Sequence, residues 1–226
     1  MSKPVGIVLT FVVGTLVLAG LPMVGWGLGD AAGFVGNPAR SGFLFAVMVL
    51  NIVASVRIPA FGVTRAAPQK RVERQQWAIT LLQILTIGTA LFAPWSDRRA
   101  VAVFDEMQTV RYAGLACYVL GFSIMHLSQA ALGRQFSVEV AIQTDHRLVT
   151  DGLYRYLRHP RYLGIVFFMT GLSLLFRSWG ALAATAATGV VLLWRIHDEE
   201  ILLRAQFGDA WDSYARRSWR LIPFVY

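Results

Sequence analysis

Residues 152–164 read Gly-Leu-Tyr-Arg-Tyr-Leu-Arg-His-Pro-Arg-Tyr-Leu-Gly. They gather Arg155, Arg158, His159, Arg161 and the tyrosines 154, 156 and 162 directly ahead of an apolar run. Ionisable side chains beside a bilayer are costly and mark function. Pro160 suits a first helical position, where its missing N–H would have no partner anyway. The N–H groups and positive dipole end of that helix start suit an anion. Two further clusters flank this stretch, His146-Arg147-Leu148-Val149 and Arg195-Ile-His197-Asp198-Glu199-Glu200. Arg195 and Glu199 stand i, i+4 on one helical face. Alone they read as an intrahelical ion pair with Arg195 snorkelling. Taken together the three clusters say more. Arginine offers a planar fork to carboxylate or phosphate, a carboxylate such as Glu199 suits an ammonium or a ribose, and tyrosines supply walls. Such a pocket suits a zwitterionic, nucleotide-like cofactor.

The elements that must position these residues are membrane helices. The chain is 56% hydrophobic and 15% charged, where a soluble domain carries about a quarter charged residues. Apolar runs cover 5–26, 41–56, 77–95 and 110–132, each near the ~20 residues of a bilayer crossing. Shorter runs at 162–176 and 180–194 predict a helical hairpin, the second arm rich in Ala and Gly that permit close helix approach. Beyond Trp194, Leu203, Phe207, Trp211 and Tyr214 oppose Glu200, Arg204, Asp209, Asp212 and Arg216, which predicts an amphipathic helix weakened at Gly208. The first run exceeds a signal-peptide core and reads as a span. The expected fold is therefore an all-α integral membrane protein. It has about four full transmembrane helices, a C-terminal helical hairpin and an amphipathic cytoplasmic helix.

Charge sets the expected orientation. The net charge of +8 is concentrated in connections 57–76 and 133–161, whereas 96–109 balances Arg98 and Arg99 against Asp97, Asp105 and Glu106. The positive-inside rule puts both basic connections and both termini in the cytoplasm, and accounts for the charge without nucleic acid. The three clusters then meet at the cytoplasmic surface. Cys117 is the single cysteine, and the four histidines lack H-x-x-H or H-x-x-x-H spacing, so no metal site is expected. His126, near Gln129, reads as an interhelical hydrogen-bonding residue. The first four runs hold few ionisable residues, which argues against a transporter.

The order H-x-L-V-x-x-G-x-Y-x-x-x-R-H-P-x-Y-x-G, an apolar hairpin, R-x-x-x-E-E and F-G-x-x-[YW]-x-x-Y resembles the isoprenylcysteine carboxyl methyltransferase family, with phospholipid N-methyltransferases sharing the plan. The likeness runs from about Gly133 to the C-terminus and takes in Phe207-Gly208, Trp211, Tyr214 and Arg217. It divides the chain into N-terminal transmembrane helices, 1–132, and a methyltransferase-like catalytic region, 133–226. The resemblance implies S-adenosyl-L-methionine as methyl donor, bound without a Rossmann domain; no G-x-G-x-x-G is present for one. By similarity His146, Arg147, Leu148, Val149, Tyr154, His159, Pro160, Arg161, Tyr162 and Glu199 line the cofactor site, with Glu200 sharing the role of Glu199. Arg195 matches the arginine that holds a substrate carboxylate, and Arg158 and Arg217 match arginines important for activity. The implied acceptor is an isoprenylcysteine-like or other lipophilic molecule in a lipid membrane. Protein prenylation is a eukaryotic trait, and the compact chain has a prokaryotic look that points to a bacterial inner membrane. A lipid amine (N-methylation), a thiol (S-methylation) or a small isoprenoid acid are therefore alternative acceptors. A sterol-reductase-like enzyme using a nicotinamide, or a lipid-binding scaffold, are the competing classes.

Overall fold

The computed structural model describes residues 3–57, 70–71, 75–133, 141–142 and 147–226. Helix α1 (Lys3–Thr15) passes through a π-helical turn (Leu16–Gly20) into α2 (Leu21–Trp26). Pro22 has no N–H to give to the preceding turn, and the wider turn ahead of it absorbs the missing bond. A short α3 (Ala31–Val35) leads to α4 (Pro38–Arg57), α5 (Gln76–Arg99), α6 (Gln108–Leu132), α7 (Pro160–Leu175), α8 (Trp179–Phe207) and α9 (Asp209–Ala215). A two-residue antiparallel pairing joins Lys70–Arg71 to Ala141–Ile142. Asn51 ties α4 to α1 by donating to the Phe11 carbonyl and the Thr15 hydroxyl, both at 2.8 Å.

The tightest packing lies between α6 and α7, which run antiparallel. Gly114 and Gly121 face Gly171 and Gly164, a reciprocal set at seven-residue spacing. A Cβ on Gly121 would stand 2.3 Å from the Phe168 nitrogen, and one on Gly171 2.4 Å from the Tyr118 nitrogen. The neighbours are backbone and cannot rotate away. Small residues permit such an approach when lipid tails offer no hydrophobic drive of their own. The Ala-rich arm from 180 to 194 is not where this happens: Ala183, Ala186 and Ala187 are exposed. Phe34, Phe43, Tyr118, Phe168 and Phe176 fill the core beside the pair.

Three arginines converge at one end of the bundle. Arg111 grips the Asp97 carboxylate with two bonds of 2.7 and 2.8 Å, Arg40 adds one at 3.0 Å and Arg177 one at 2.9 Å. Arg111 also bonds Glu106 and the Leu175 carbonyl that ends α7. Asp97 was expected as a balanced loop charge; it is instead buried in the last turn of α5. Ring stacking marks both membrane borders: Trp77 lies on Trp194 at 4.6 Å at the other end, while Trp95 and Trp179 lie at the Asp97 end. At 1.5 Å per residue the two levels are about 22–27 Å apart, as aromatic belts flanking a hydrocarbon core are.

Two expectations need correction. The second hairpin arm is not short: α8 has 29 residues, and among the described residues five helices are long and apolar enough to cross a membrane, with α7 shorter at Pro160–Leu175. The apolar stretch to Trp194 simply continues as a polar helix, because nothing in Arg195–Phe207 breaks it. The amphipathic segment is consequently split, its first half extending α8 and its second forming α9. Gly208, at φ +51°, makes the break. His126 bonds the Phe122 carbonyl of its own helix at 2.9 Å; the interhelical bond belongs to Gln129, which accepts from Arg161 of α7 at 3.1 Å.

Gly121→Leu forces the α6 and α7 backbones apart and should lower stability by about 3 kcal/mol or more, whereas Gly88→Ala, whose Cβ meets nothing within 4 Å, should be neutral or gain up to ~1 kcal/mol. Thermal unfolding in detergent compares them; equal melting temperatures would refute the packing account. Asp97→Asn should cost about 3–5 kcal/mol, since it strands buried guanidiniums. Glu106 is held below the usual carboxylate range by its bonds to Arg111. Its folded pKa is thus the lower one, and the stability it contributes is lost as pH falls through that value. Glu106→Gln should flatten the acid limb of the melting curve, and an unaltered limb would count against it.

Candidate active site

The candidate site is built at the other end of α7. His159 precedes that helix with non-helical torsions (φ −125°, ψ 54°), and Pro160 opens it. The segment before it is held by chain from beyond α9. Trp219 donates to the Tyr156 carbonyl at 2.8 Å, Arg158 donates to the Trp219 carbonyl at 2.8 Å, and the His159 N–H donates to the Arg220 carbonyl at 3.1 Å. The Tyr214 hydroxyl donates to the Tyr154 carbonyl at 2.7 Å. Burial pushes the Tyr214 phenol up to about 12 and the Tyr154 phenol upward also, so both stay neutral hydrogen-bonding groups at ordinary pH.

Helix α8 brings Arg195, Glu199 and Glu200 to this loop. The Tyr162 hydroxyl donates to Glu199 Oε2 at 2.7 Å, and Nδ1 of His159 lies 3.8 Å from the same oxygen. The His159 and Tyr162 rings are parallel within 5°, centroids 5.5 Å apart. Arg195 is buried, its Cζ 6.0 Å from the Tyr162 ring centre, within cation–π range. Glu200 faces another set: Arg158 at 2.8 Å, Arg220 at 2.9 Å and His159 Nε2 at 3.3 Å.

The adjacent glutamates therefore differ. Successive helical side chains point about 100° apart, which aims Glu200 at the loop and tail and Glu199 at Tyr162. The Glu199 side chain keeps 30% of its surface exposed, against 13% for Glu200. An acceptor oxygen with open surface suits a hydroxyl or ammonium of a ligand; one enclosed by two arginines and a histidine suits holding the protein together. His159, Pro160, Tyr162, Arg195, Glu199, Arg158 and Glu200 are thus gathered in one place. Tyr154 is buried in the turn Gly152–Arg155. Arg161 reaches α6 through Gln129. Arg147 is exposed, and Leu148 and Val149 are half-buried. Arg217 is exposed and donates to the Ser213 carbonyl one turn back, so that bond keeps it on its own turn. His146 lies outside the described residues.

Sequence reasoning did not single out Gln75 or Arg220 here, and gave Asp198 no role of its own within its cluster. Gln75, ahead of α5, donates to Asp198, and both are buried; three consecutive acids gave no hint which faced inward. Arg220 lies past the motif that drew attention to the tail.

The described residues form a helical membrane bundle with a polar cluster of arginines, glutamates, His159 and Tyr162 at one end. Residues 114–205 match the model of the isoprenylcysteine carboxyl methyltransferase (ICMT) family. The chain is 28% identical over 149 residues to a "probable protein-S-isoprenylcysteine O-methyltransferase" of Oryza sativa subsp. indica, covering 63% of this chain and 76% of that protein. It is 33% identical over 130 residues to the protein-S-isoprenylcysteine O-methyltransferase of Schizosaccharomyces pombe, covering 54% of this chain and 52% of that one. The fold is that of the eukaryotic intramembrane Ras methyltransferase ICMT, with a TM-score of 0.54 at 22% identity over 93% of this chain and 73% of the other. The likeness to the isoprenylcysteine carboxyl methyltransferase family thus rests on residues 114–205 and on the shared fold of an integral membrane protein.

Glu200→Gln should lower thermal stability by about 1–3 kcal/mol, because Arg158 and Arg220 lose the charge of their common acceptor. Glu199→Gln, which keeps an acceptor oxygen for Tyr162, should change it by less than ~1 kcal/mol. Equal losses would show that the two carboxylates do the same structural task.

Proposed function

We propose that this chain transfers a methyl group from S-adenosyl-L-methionine to the carboxylate of an isoprenylcysteine-like, lipophilic acceptor at the cytoplasmic face of its membrane. One observation carries the reading. Arg195 and Glu199, one turn apart on α8, both meet Tyr162 beside His159 at the membrane border. The residues fit a donor of this kind. Glu199 is a partly exposed carboxylate for its ammonium or ribose hydroxyls, and the parallel His159 and Tyr162 rings offer a flat wall. Arg147, Leu148, Val149, Tyr154, Pro160, Arg161 and His146 complete the proposed cofactor region in 133–226.

When bound, the donor supplies a methyl group on an electron-poor sulfonium. A carboxylate acceptor is already ionised at neutral pH, so the protein need not remove a proton. The methyl passes from sulfur to oxygen, leaving a thioether and an ester, and no proton is released. The task left to the chain is alignment. Arg195, enclosed among helices, would hold one carboxylate oxygen while the other faces the methyl. The acceptor's tail would stay in the hydrocarbon beside the helices, its head at the level of Trp194. The positive-inside rule supports this orientation, since the connections 57–76 and 133–161 are both basic.

Titration with S-adenosylhomocysteine by calorimetry, in protein shown to be folded, should give saturable binding. Glu199→Gln should weaken that affinity about tenfold or more, the scale of losing a charged hydrogen bond. Arg195→Ala should keep affinity within about threefold yet lower turnover about a hundredfold or more, as misplacement of an acceptor does. A radiolabelled methyl-transfer screen over farnesylcysteine analogues, lipid amines and small thiols decides the acceptor. Transfer to amines or thiols alone would overturn the carboxylate assignment, and absence of binding would overturn the donor.

A further inference from the structure

Residues 216–226 carry three arginines, no acidic residue, and Trp219, Leu221, Ile222, Phe224, Val225 and Tyr226. Leu221 is buried, but its neighbours turn outward: Phe224 is 86% exposed and Val225 75%, with Trp219 and Ile222 also open. The Trp219 and Phe224 rings touch, centroids 5.4 Å apart, so the exposed surface is one patch. It is shaped by a closed turn. The Leu221 and Ile222 N–H groups donate to the Tyr226 carbonyl at 2.7 and 2.9 Å, and Arg220 donates to the Tyr226 hydroxyl at 2.7 Å. Phe224 occupies the left-handed region at φ +64°, unfavourable for a bulky residue, and the turn holds its ring away from the protein.

The patch lies outside the spanning helices, where exposed aromatic and branched side chains have no lipid of the bilayer interior to cover them. Its height is set by its backbone. Trp219 and Arg220 pair with Tyr156–His159, the residues directly ahead of α7, so the turn stands where α7 enters the membrane. Tyr156, 63% exposed, and the exposed Arg155, Arg216 and Arg217 surround it. Of the acids nearby in sequence, Asp212 is paired with Arg204 at 3.0 Å, leaving Asp209 and Asp151 exposed. Aromatic rings at the level of a helix start, ringed by arginines, match the headgroup zone of a negatively charged leaflet.

We propose that this turn is an interfacial anchor that seats on anionic lipid of the protein's own membrane, and that seating it fixes the loop carrying His159. The path is short: Arg220 accepts from the His159 N–H with its carbonyl and holds Glu200 with its guanidinium. The proposal stands on the patch and its backbone pairing, and survives whichever acceptor is methylated.

The test uses the full chain in nanodiscs of phosphatidylcholine alone or with about a third phosphatidylglycerol, the anionic component that attracts arginines near a leaflet. Val225→Cys, on a Cys117→Ala background, carries a spin label, and Asp209→Cys provides a reference position. In anionic discs the Val225 label should meet oxygen in the bilayer and be shielded from a water-soluble nickel chelate. In neutral discs it should be several-fold more accessible to nickel, and Arg216→Gln should reduce the difference between the discs. On the unsubstituted chain, the Arg158 and His159 amides, bonded to the carbonyls of 219 and 220, should exchange hydrogen several-fold more slowly in anionic discs. A label as open to nickel as Asp209 in both discs, or shielded equally in both, would overturn the proposal. So would amide exchange indifferent to lipid charge.

Discussion

Everything at the two borders depends on how closely the α6 and α7 backbones approach. Four glycines at reciprocal positions leave no side chain between them, so the pair behaves as one rigid unit. α7 has 16 residues, about 24 Å of helix, less than the ~30 Å hydrocarbon core. Its two ends therefore lie close to apolar depth, and each has to be made tolerable. At one end Arg111, fixed by α6, reaches both the Leu175 carbonyl that ends α7 and the Asp97 carboxylate. At the other, Gln129 of α6 takes Arg161. A short helix locked to a long one places polar groups near lipid and supplies the partners that make them affordable.

The polar cluster at the His159 end has an internal division of labour that comes from helical geometry alone. Two glutamates adjacent in sequence cannot face the same way on α8. Glu200 points at the loop and tail, where Arg158, Arg220 and His159 enclose it, and joins three segments distant in sequence. Glu199 points toward Tyr162 and keeps surface for something else. The burial cost of a charged group is offset for Glu200 by its partners, while Glu199 remains wet. Structure and proposed binding are thus separated by one residue.

Much of this was legible in the sequence, and the failures have physical causes. The apolar runs, the basic connections and the meeting of 152–164 with Arg195–Glu200 follow from hydropathy, charge and an even number of returns. The true length of α8 was missed because a window of apolar residues ends at Trp194, whereas backbone hydrogen bonding does not; a helix stops for lack of bonds or for a glycine such as Gly208, not for polarity. The Asp97 cluster was missed because its members come from α4, α5, α6 and the α7–α8 turn. Each is a single charge at a span end, and only the fold reveals that they share one carboxylate. The glycines of α6 and α7 were visible, but their seven-residue spacing signals contact only once the two helices are known to be antiparallel neighbours, and attention went to the richer Ala and Gly content of the next helix.

The far end also bears on the chemistry proposed at the near one. Alignment of a methyl group with an attacking oxygen tolerates little error; a displacement of about 1 Å costs on the order of a hundredfold. Over the ~24 Å of α7, such a displacement corresponds to a tilt of only about 2–3°. Lipid around a bundle resists tilting weakly, as the wide range of natural helix tilts shows. The Asp97 cluster supplies the missing stiffness. It binds α4, α5, α6 and the α7–α8 turn by directional bonds at the point farthest from the proposed chemistry. A buried ionic cluster contributes little net stability compared with apolar packing of equal volume. Its geometric demand is strict, however, and in a pivot about 24 Å of helix away from the proposed site that strictness matters more than the energy.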